Sequence, residues 1–266
     1  MDEVVPSEPE LSLDDAPWAL SVVVPACNAT ATIESTLAQL AAPPGGAPLE
    51  ILVVENGSQD ETWDLLERIQ KNWDCDTALV TLRSERGIGA AYRAGVAASS
   101  GNRVLLTADD LPFGTSDLAA VLTYLPLPAF AIGSKAHPLS RVSRNRRRRL
   151  ATWTFRLARR LILGLEVGDT QGTFVIEGGL ARELVGQTTM DGFGMTTELV
   201  ALAVNQELRP IEVPIVLNDE VTASRIHWAR DSLDMIVSLW RLRRPRRPGR
   251  TRRSRRALSS RRVGGG

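Results

Sequence analysis

Polar residues with chemistry to offer collect just past short apolar runs in this chain. The run Leu20-Ser-Val-Val-Val-Pro-Ala-Cys-Asn28 ends on Pro25, Ala26 and Asn28. The run Glu50-Ile-Leu-Val-Val-Glu-Asn-Gly-Ser58 ends on Glu55 and Asn56, and a third run, over 102–107, is followed by Ala108 and the acidic pair Asp109-Asp110. β-branched runs that stop at turn-forming residues read as strands. In open α/β sheets a ligand binds at the carboxyl ends of the strands. The polar ends therefore mark a small-molecule site around 25–28 and 55–60. Gly87-Ile-Gly89 opens a segment of small residues, and glycines at a helix start let backbone amides approach a phosphate or nucleotide.

The elements that must position these groups alternate between strand and helix. Strands are expected from about 19, at 50–54, 78–82, 102–107 and 129–133. Helices are expected from about 32, over 61–72 with Asp60 as N-cap, over 90–99 and over 116–124. A long helix over about 145–163 follows, then an extended stretch over 168–177, a helix near 196–206 and a strand over 209–215. An amphipathic helix is expected over 231–242. This gives four segments: an acidic, disordered lead-in over 1–17, one α/β domain over 18–218, a linker and helix over 219–244, and a disordered Arg-rich tail over 245–266.

The 266 residues, 43% hydrophobic and 24% charged, suffice for one packed α/β domain. The formal net charge of +1 averages an acidic start against two strongly basic stretches, 141–160 and 241–262, whose basic residues are Arg rather than Lys. No stretch reaches the ~20 consecutive apolar residues of a membrane span, so any membrane contact is expected to be peripheral. Cys27 and Cys75 have no metal or redox spacing and read as reduced cytosolic thiols, and His137 and His227 have no metal spacing either.

Four blocks carry a resemblance: Val-Val-Val-Pro-Ala-Cys-Asn28, Glu50 to Thr62, Arg86-Gly-Ile-Gly-Ala-Ala-Tyr-Arg-Ala-Gly95 and Thr107-Ala-Asp-Asp110. In this order and spacing they resemble the signature blocks of family 2 glycosyltransferases. The resemblance implies a GT-A fold: α/β, a mixed, mostly parallel central sheet flanked by helices, with a C-terminal amphipathic helix. Gly133-Ser-Lys-Ala-His137, Gly168-Asp-Thr-Gln-Gly-Thr-Phe174 and Thr197-Glu-Leu199 resemble the dolichyl- or polyprenyl-phosphate glucosyltransferase branch, with the mannosyltransferases as close cousins. Val213-Pro-Ile215 and the Ser224-Arg225 step fit the same pattern.

The resemblance assigns roles. Asp109 matches the second carboxylate of an Asp-x-Asp metal motif for Mg²⁺ or Mn²⁺, whose first position is Thr107 here; the bland alternative for Asp109 is a turn cap. Asp110 is the other candidate ligand, although neighbours on an extended segment point to opposite faces. Glu55 and Asn56 stand where the family has two Asp residues that bind the nucleoside; Asn56-Gly57 also favours a tight turn by itself. Pro25, Ala26, Asn28, Ala108, Arg86 and Gly87 line the same donor pocket, with Ile88 where the family often has Lys. Asp169 and Gln171 help form the sugar and acceptor pocket, and Glu198 matches a carboxylate on the helix that closes it. Either acid also suits a structural role, Asp169 in a turn and Glu198 beside the Arg cluster. Lys135, Arg144 and Arg148 match basic positions that hold the acceptor phosphate.

The implied reaction is inverting, metal-dependent transfer of a hexose, foremost glucose, from a UDP-sugar (or GDP-sugar) to polyprenyl phosphate. The place is the cytoplasmic face of the plasma membrane, where the Arg-bearing helix over 145–163 meets an anionic surface. Two alternatives stand beside it: transfer to a hydroxyl acceptor with Glu198 as base, and a nucleotide-sugar-binding scaffold weakened at Thr107, Asn56 and Ile88. The tail lacks the interleaved aromatics of base stacking, so specific nucleic-acid binding is not expected.

Overall fold

The computed structural model describes residues 19–46, 48–141, 160 and 164–216. Within them the elements run β1 (Leu20–Ala26), α1 (Ile33–Leu40), β2 (Glu50–Glu55), α2 (Thr62–Lys71), β3 (Ala78–Arg83), α3 (Ile88–Ala98), β4 (Arg103–Leu106), α4 (Ser116–Leu122), β5 (Phe130–Gly133), β6 (Thr173–Glu177), α5 (Gly178–Gly186), α6 (Gly194–Asn205) and β7 (Ile211–Val213). The expected helix over 231–242, both tails and nearly all of the expected helix over 145–163 lie outside the described residues. Among the described residues no helix is long and apolar enough to cross a membrane.

The strands form one sheet in the order β3-β2-β1-β4-β6-β5-β7. β1 pairs in parallel with β2 and β4, β2 with β3, and β5 with β7. β6 alone runs the other way, antiparallel to both β4 and β5. Every residue of β1 and β2 is buried, as central strands covered on both faces must be. Their side chains alternate between two cores. Val22, Val24, Ile51 and Val53 pack under α1, α2 and α4 with Ile33, Leu37, Leu66 and Leu118. Val23, Leu52 and Val54 pack on the other face with Tyr92 and Val96 of α3, Leu184 of α5 and Leu199 of α6. Phe174 anchors that second core edge-on to Phe130, with ring centroids 5.9 Å apart.

Two differences from the expected elements have physical causes, and a third is one of length. Helix α5 was not anticipated, because Gly178, Gly179 and Gly186 read as breakers. It starts because the Glu177 carboxylate accepts the Gly179 and Leu180 N–H groups, both at 3.1 Å. Helix α2 begins at Thr62 behind Glu61, yet Asp60 still caps it from one residue further out, taking the Thr62 N–H at 3.1 Å. Strand β7 spans only Ile211–Val213 of the expected 209–215.

Candidate active site at the carboxyl edge of the sheet

The chain leaves β1 toward β2 and β3, then returns on β1's other side as β4. That reversal opens a crevice outside the carboxyl ends of β1 and β4, where open α/β sheets bind ligands. The register sets Ala26, Glu55 and Arg83 in one row. Thr107 follows β4 and ties back to β1 by its N–H to the Val23 carbonyl at 3.2 Å.

Asp109 stands in this crevice. The Thr32 hydroxyl donates to its Oδ2 at 3.2 Å and the Thr36 hydroxyl to its carbonyl at 2.7 Å, so α1 fixes it. Tyr92 of α3 donates its buried hydroxyl to the Thr107 carbonyl at 2.9 Å. Burial pushes the Tyr92 phenol up, and the charges of Asp109 and then Asp110 push it further. Both carboxylates therefore lie within electrostatic reach of the Tyr92 hydroxyl. The extended geometry that would have separated them is replaced by a turn over 109–110. Among the described residues no group of three His, Cys, Asp or Glu side chains converges on one point. Magnesium-type sites need no such cage: one or two carboxylates suffice when substrate phosphates and water complete the shell. Asp109 and Asp110 fit a site of that kind.

On the donor side the Glu55 carboxylate folds back on its own turn and accepts the Gly57 N–H at 2.8 Å and the Ser58 N–H. Asn28 stitches the β1 loop to this turn, giving its N–H to Ser58 Oγ at 3.0 Å and taking the Gln59 N–H on Oδ1 at 2.8 Å. Asn56 is 5% exposed, and its buried Oδ1 has no hydrogen-bond partner among the described residues. Beside it lies an open cleft of about 390 Å³ lined by Glu55, Gly57, Ser58, Asp60, Trp63, Asp64 and Arg83. The Arg83 guanidinium stacks 4.0 Å over Trp63. Of these, Trp63, Asp64 and Arg83 lie outside the 55–60 stretch marked from sequence; Trp63, an aromatic in a helix's first turn, reads as packing.

Cys27 records how closely the strand ends meet. Burial pushes its thiol up, the Arg86 cation draws it down, and Glu55, Asp109 and Asp60 add to the rise. Pro25, Ala26 and Ala108 supply the backbone around these groups. Gly87 and Gly89 have an additional explanation beyond ligand approach. The 189–191 segment lies against them: Gly89 gives its N–H to the Asp191 carbonyl at 2.7 Å, and a Cβ on Gly87 (φ +124°) or Gly89 would strike that backbone. One first-turn amide of α3 is therefore already satisfied within the protein.

On the acceptor side Lys135 follows β5. Its N–H donates to Asp169 Oδ2 at 3.0 Å; its ammonium reaches the same oxygen at 3.4 Å and the Gln171 carbonyl at 2.8 Å. The Phe113 ring lies 4.9 Å from the ammonium. Burial alone would raise the Asp169 carboxyl, but the Lys135 charge and the N–H groups of Gln171 and Lys135 outweigh it and hold the group below its usual range. Glu198 is buried on α6, with Oε2 accepting the Thr189 and Met190 N–H groups at 2.8 and 3.0 Å and Oε1 the Thr189 hydroxyl at 3.0 Å. Arg144 and Arg148 lie outside the described residues.

A reversed strand set into an otherwise parallel, helix-flanked sheet is the mixed α/β architecture expected of a GT-A fold. Residues 21–178, more than half of the chain, match the model of glycosyl transferase family 2, and the chain belongs to that family. It is a glycosyltransferase that uses a nucleotide-sugar donor. Solved structures of glucosyl-3-phosphoglycerate synthase from Mycobacterium tuberculosis share the fold. The UDP complex aligns with TM-score 0.60 at 21% identity, covering 85% of this chain and 80% of that one. The complex with Mn²⁺, UDP and glucosyl-3-phosphoglycerate aligns with TM-score 0.60 at 19% identity, covering 90% and 86%. The complex with Mn²⁺, UDP and phosphoglyceric acid aligns with TM-score 0.61 at 20% identity, covering 91% and 86%.

Proposed function

We propose that this protein transfers a hexose, foremost glucose, from a UDP-sugar to polyprenyl phosphate with inversion, at an anionic membrane surface on the cytoplasmic side. The observation that carries the reading is the state of the acceptor-side acids. A sugar hydroxyl needs a general base whose pKa lies near the working pH. Asp169 is held ionised by Lys135, and both oxygens of buried Glu198 are engaged by the 189–190 segment. A phosphate monoester is already an anion and needs no base; it needs a cation to place it, and Lys135 supplies one.

In this reading an oxygen of the acceptor phosphate attacks the anomeric carbon. The bond from that carbon to the donor's diphosphate breaks, and UDP leaves. Asn56 and the Glu55 turn hold the nucleoside. Asp109, with Asp110, would hold Mg²⁺ or Mn²⁺, which when bound offsets the charge that builds on the departing diphosphate. The fold neighbours, solved with UDP, Mn²⁺ and a phosphate-bearing acid, support the donor and metal class. The Arg-rich stretches over 141–160 and 241–262 support the surface.

The test is transfer from radiolabelled UDP- and GDP-sugars to polyprenyl phosphate in detergent, with and without Mn²⁺, beside 3-phosphoglycerate and a soluble sugar as rival acceptors. A metal-dependent lipid product that Asp109→Asn lowers about 100-fold or more, with folding retained, is the expected result. Product on the soluble sugar alone would move the acceptor to a hydroxyl. Donor binding with no transfer to any acceptor would leave the scaffold reading.

A further inference from the structure

Glu212, which the sequence did not mark, organises the acceptor side. It is the middle residue of β7 and is half-buried. Its Oε2 accepts the Gly168 N–H at 2.8 Å, and its Oε1 accepts the Asp169 N–H at 3.1 Å together with the Ser134 hydroxyl. A Cβ on Gly168 would sit 2.9 and 3.1 Å from the two carboxylate oxygens, so glycine is what admits the carboxylate to this turn. Ser134 immediately precedes Lys135, and Asp169 is the partner of the Lys135 ammonium. One carboxylate therefore grips both the strand end from which Lys135 springs and the turn against which it is held.

The identity of the gripped residue sharpens the point. Of the 32 basic residues in this chain only Lys71 and Lys135 are lysines. A lysine ammonium is a compact charge on a flexible four-carbon stem, so its place is set by what surrounds it.

We propose that Glu212 is a positioning residue of the transferase: through Ser134, Gly168 and Asp169 it fixes the Lys135 ammonium, and with it the acceptor phosphate. The second half of that statement rests on the reading of Lys135 as the acceptor's cation. The bonds of the Glu212 carboxylate go to Ser134, Gly168 and Asp169, so it acts on the acceptor through them. Its loss leaves the donor side intact and lets the Lys135 stem wander, which weakens acceptor binding before it touches donor binding.

The test compares Glu212→Ala, Glu212→Gln, Ser134→Ala and Lys135→Ala with the full-length parent. The readouts are separate KM values for UDP-glucose and for polyprenyl phosphate in detergent, and the acetylation rate of Lys135 relative to exposed Lys71 by peptide mass spectrometry. Glu212→Ala is expected to raise the acceptor KM about tenfold, leave the donor KM unchanged and speed Lys135 acetylation relative to Lys71. Glu212→Gln keeps one carbonyl oxygen for Ser134 and Asp169 and is expected to show a smaller rise in acceptor KM and in Lys135 acetylation than Glu212→Ala. Ser134→Ala removes one of the three bonds and shows the same split at smaller size, which covers the case of a Glu212→Ala chain that does not fold. A carboxylate serving stability alone would move both KM values together or neither. Parent-like acceptor KM and Lys135 acetylation in Glu212→Ala and Ser134→Ala would overturn the proposal. A parent-like acceptor KM in Lys135→Ala would instead overturn the reading of Lys135. Acetylation needs no substrate, so it decides the hold of Glu212 on Lys135 even in a preparation that transfers nothing.

Discussion

Two turns at the carboxyl edge of the sheet are each built around one carboxylate, and they are built differently. Glu55 accepts from residues two and three positions on, Gly57 and Ser58, so the donor-side turn is closed by its own sequence. Asp169 accepts from Gln171 nearby but also from Lys135, 34 residues earlier, and its own N–H is held by Glu212, 43 residues later. The donor-side turn is thus closed locally by Glu55, while Asn28 of the neighbouring strand end and Arg83 of β3 lean on it from outside. The acceptor side exists only where three distant segments meet, which leaves it free to be retuned without disturbing nucleotide binding.

The largest effects should come from cutting each carboxylate in turn. Asp169→Ala removes the carboxylate partner of the Lys135 ammonium and is expected to cost about 100-fold in kcat/KM for polyprenyl phosphate, with the donor KM near that of the parent. Glu55→Ala removes the acceptor of two turn amides and is expected to raise the donor KM about tenfold while sparing the acceptor KM. Initial rates with both substrates varied give all four constants. If each mutant raised both KM values, the two turns would be one mechanical unit and the contrast between them would fall.

The same contrast explains what was legible in the sequence. Glu55, Asn56 and Asp109 each follow an apolar run directly, and period and turn chemistry place them without knowledge of any distant contact. The α/β class, most of the strand and helix cores and the ligand edge follow from the same signals. Glu212 carries no such mark: one acidic residue in Ile-Glu-Val is ordinary alternation on a strand, and its meaning comes from Gly168 and Ser134. The reversal of β6 is equally silent, because Thr173–Glu177 has the composition of any buried strand and its direction is set by pairing with β4 and β5. Helix α5 was hidden by its glycines, and the cap that starts it is a side-chain contact that composition does not reveal.

Beyond Asn28 and Arg83, the donor side has a more distant support, the 189–191 segment, and its weight is graded by two glycines. Arg93 clamps this segment through the Met190 carbonyl at 2.8 Å and through an ion pair with Asp191. A Cβ at Gly89 would lie 2.9 Å from Met195 Cβ and run into the Met190 carbonyl, whereas one at Gly192 meets nothing within 4 Å. Gly89→Ala is expected to destabilise by about 1–3 kcal/mol, as overpacking does. Gly192→Ala should stay within about 0.5 kcal/mol of the parent. Chemical denaturation of both reports the difference, and equal midpoints would show that the segment lifts away at no cost and lends the donor side nothing.

The smallest effect is a slope with pH, and it belongs to the acceptor side. Asp169 is held below its ordinary value of 3.8 in the folded chain, so the unfolded chain binds its proton first as pH falls. Its contribution to stability is therefore complete above that ordinary value and is lost as pH drops through it toward the lowered one. Asp117 works in the opposite sense. Burial pushes its carboxyl up despite a hydrogen bond from Thr173, so the folded chain keeps that proton longer and loses stability as pH rises from 3.8 toward the raised value. The two slopes oppose one another in the whole protein, and a single acid titration of the parent would blur them. Denaturation midpoints of Asp169→Asn against the parent between about pH 2.5 and 5 separate them. The mutant should lose less stability than the parent on acidification. Parallel curves would mean that the Lys135 charge does not hold Asp169 ionised, which would weaken the case for an acceptor that brings its own negative charge.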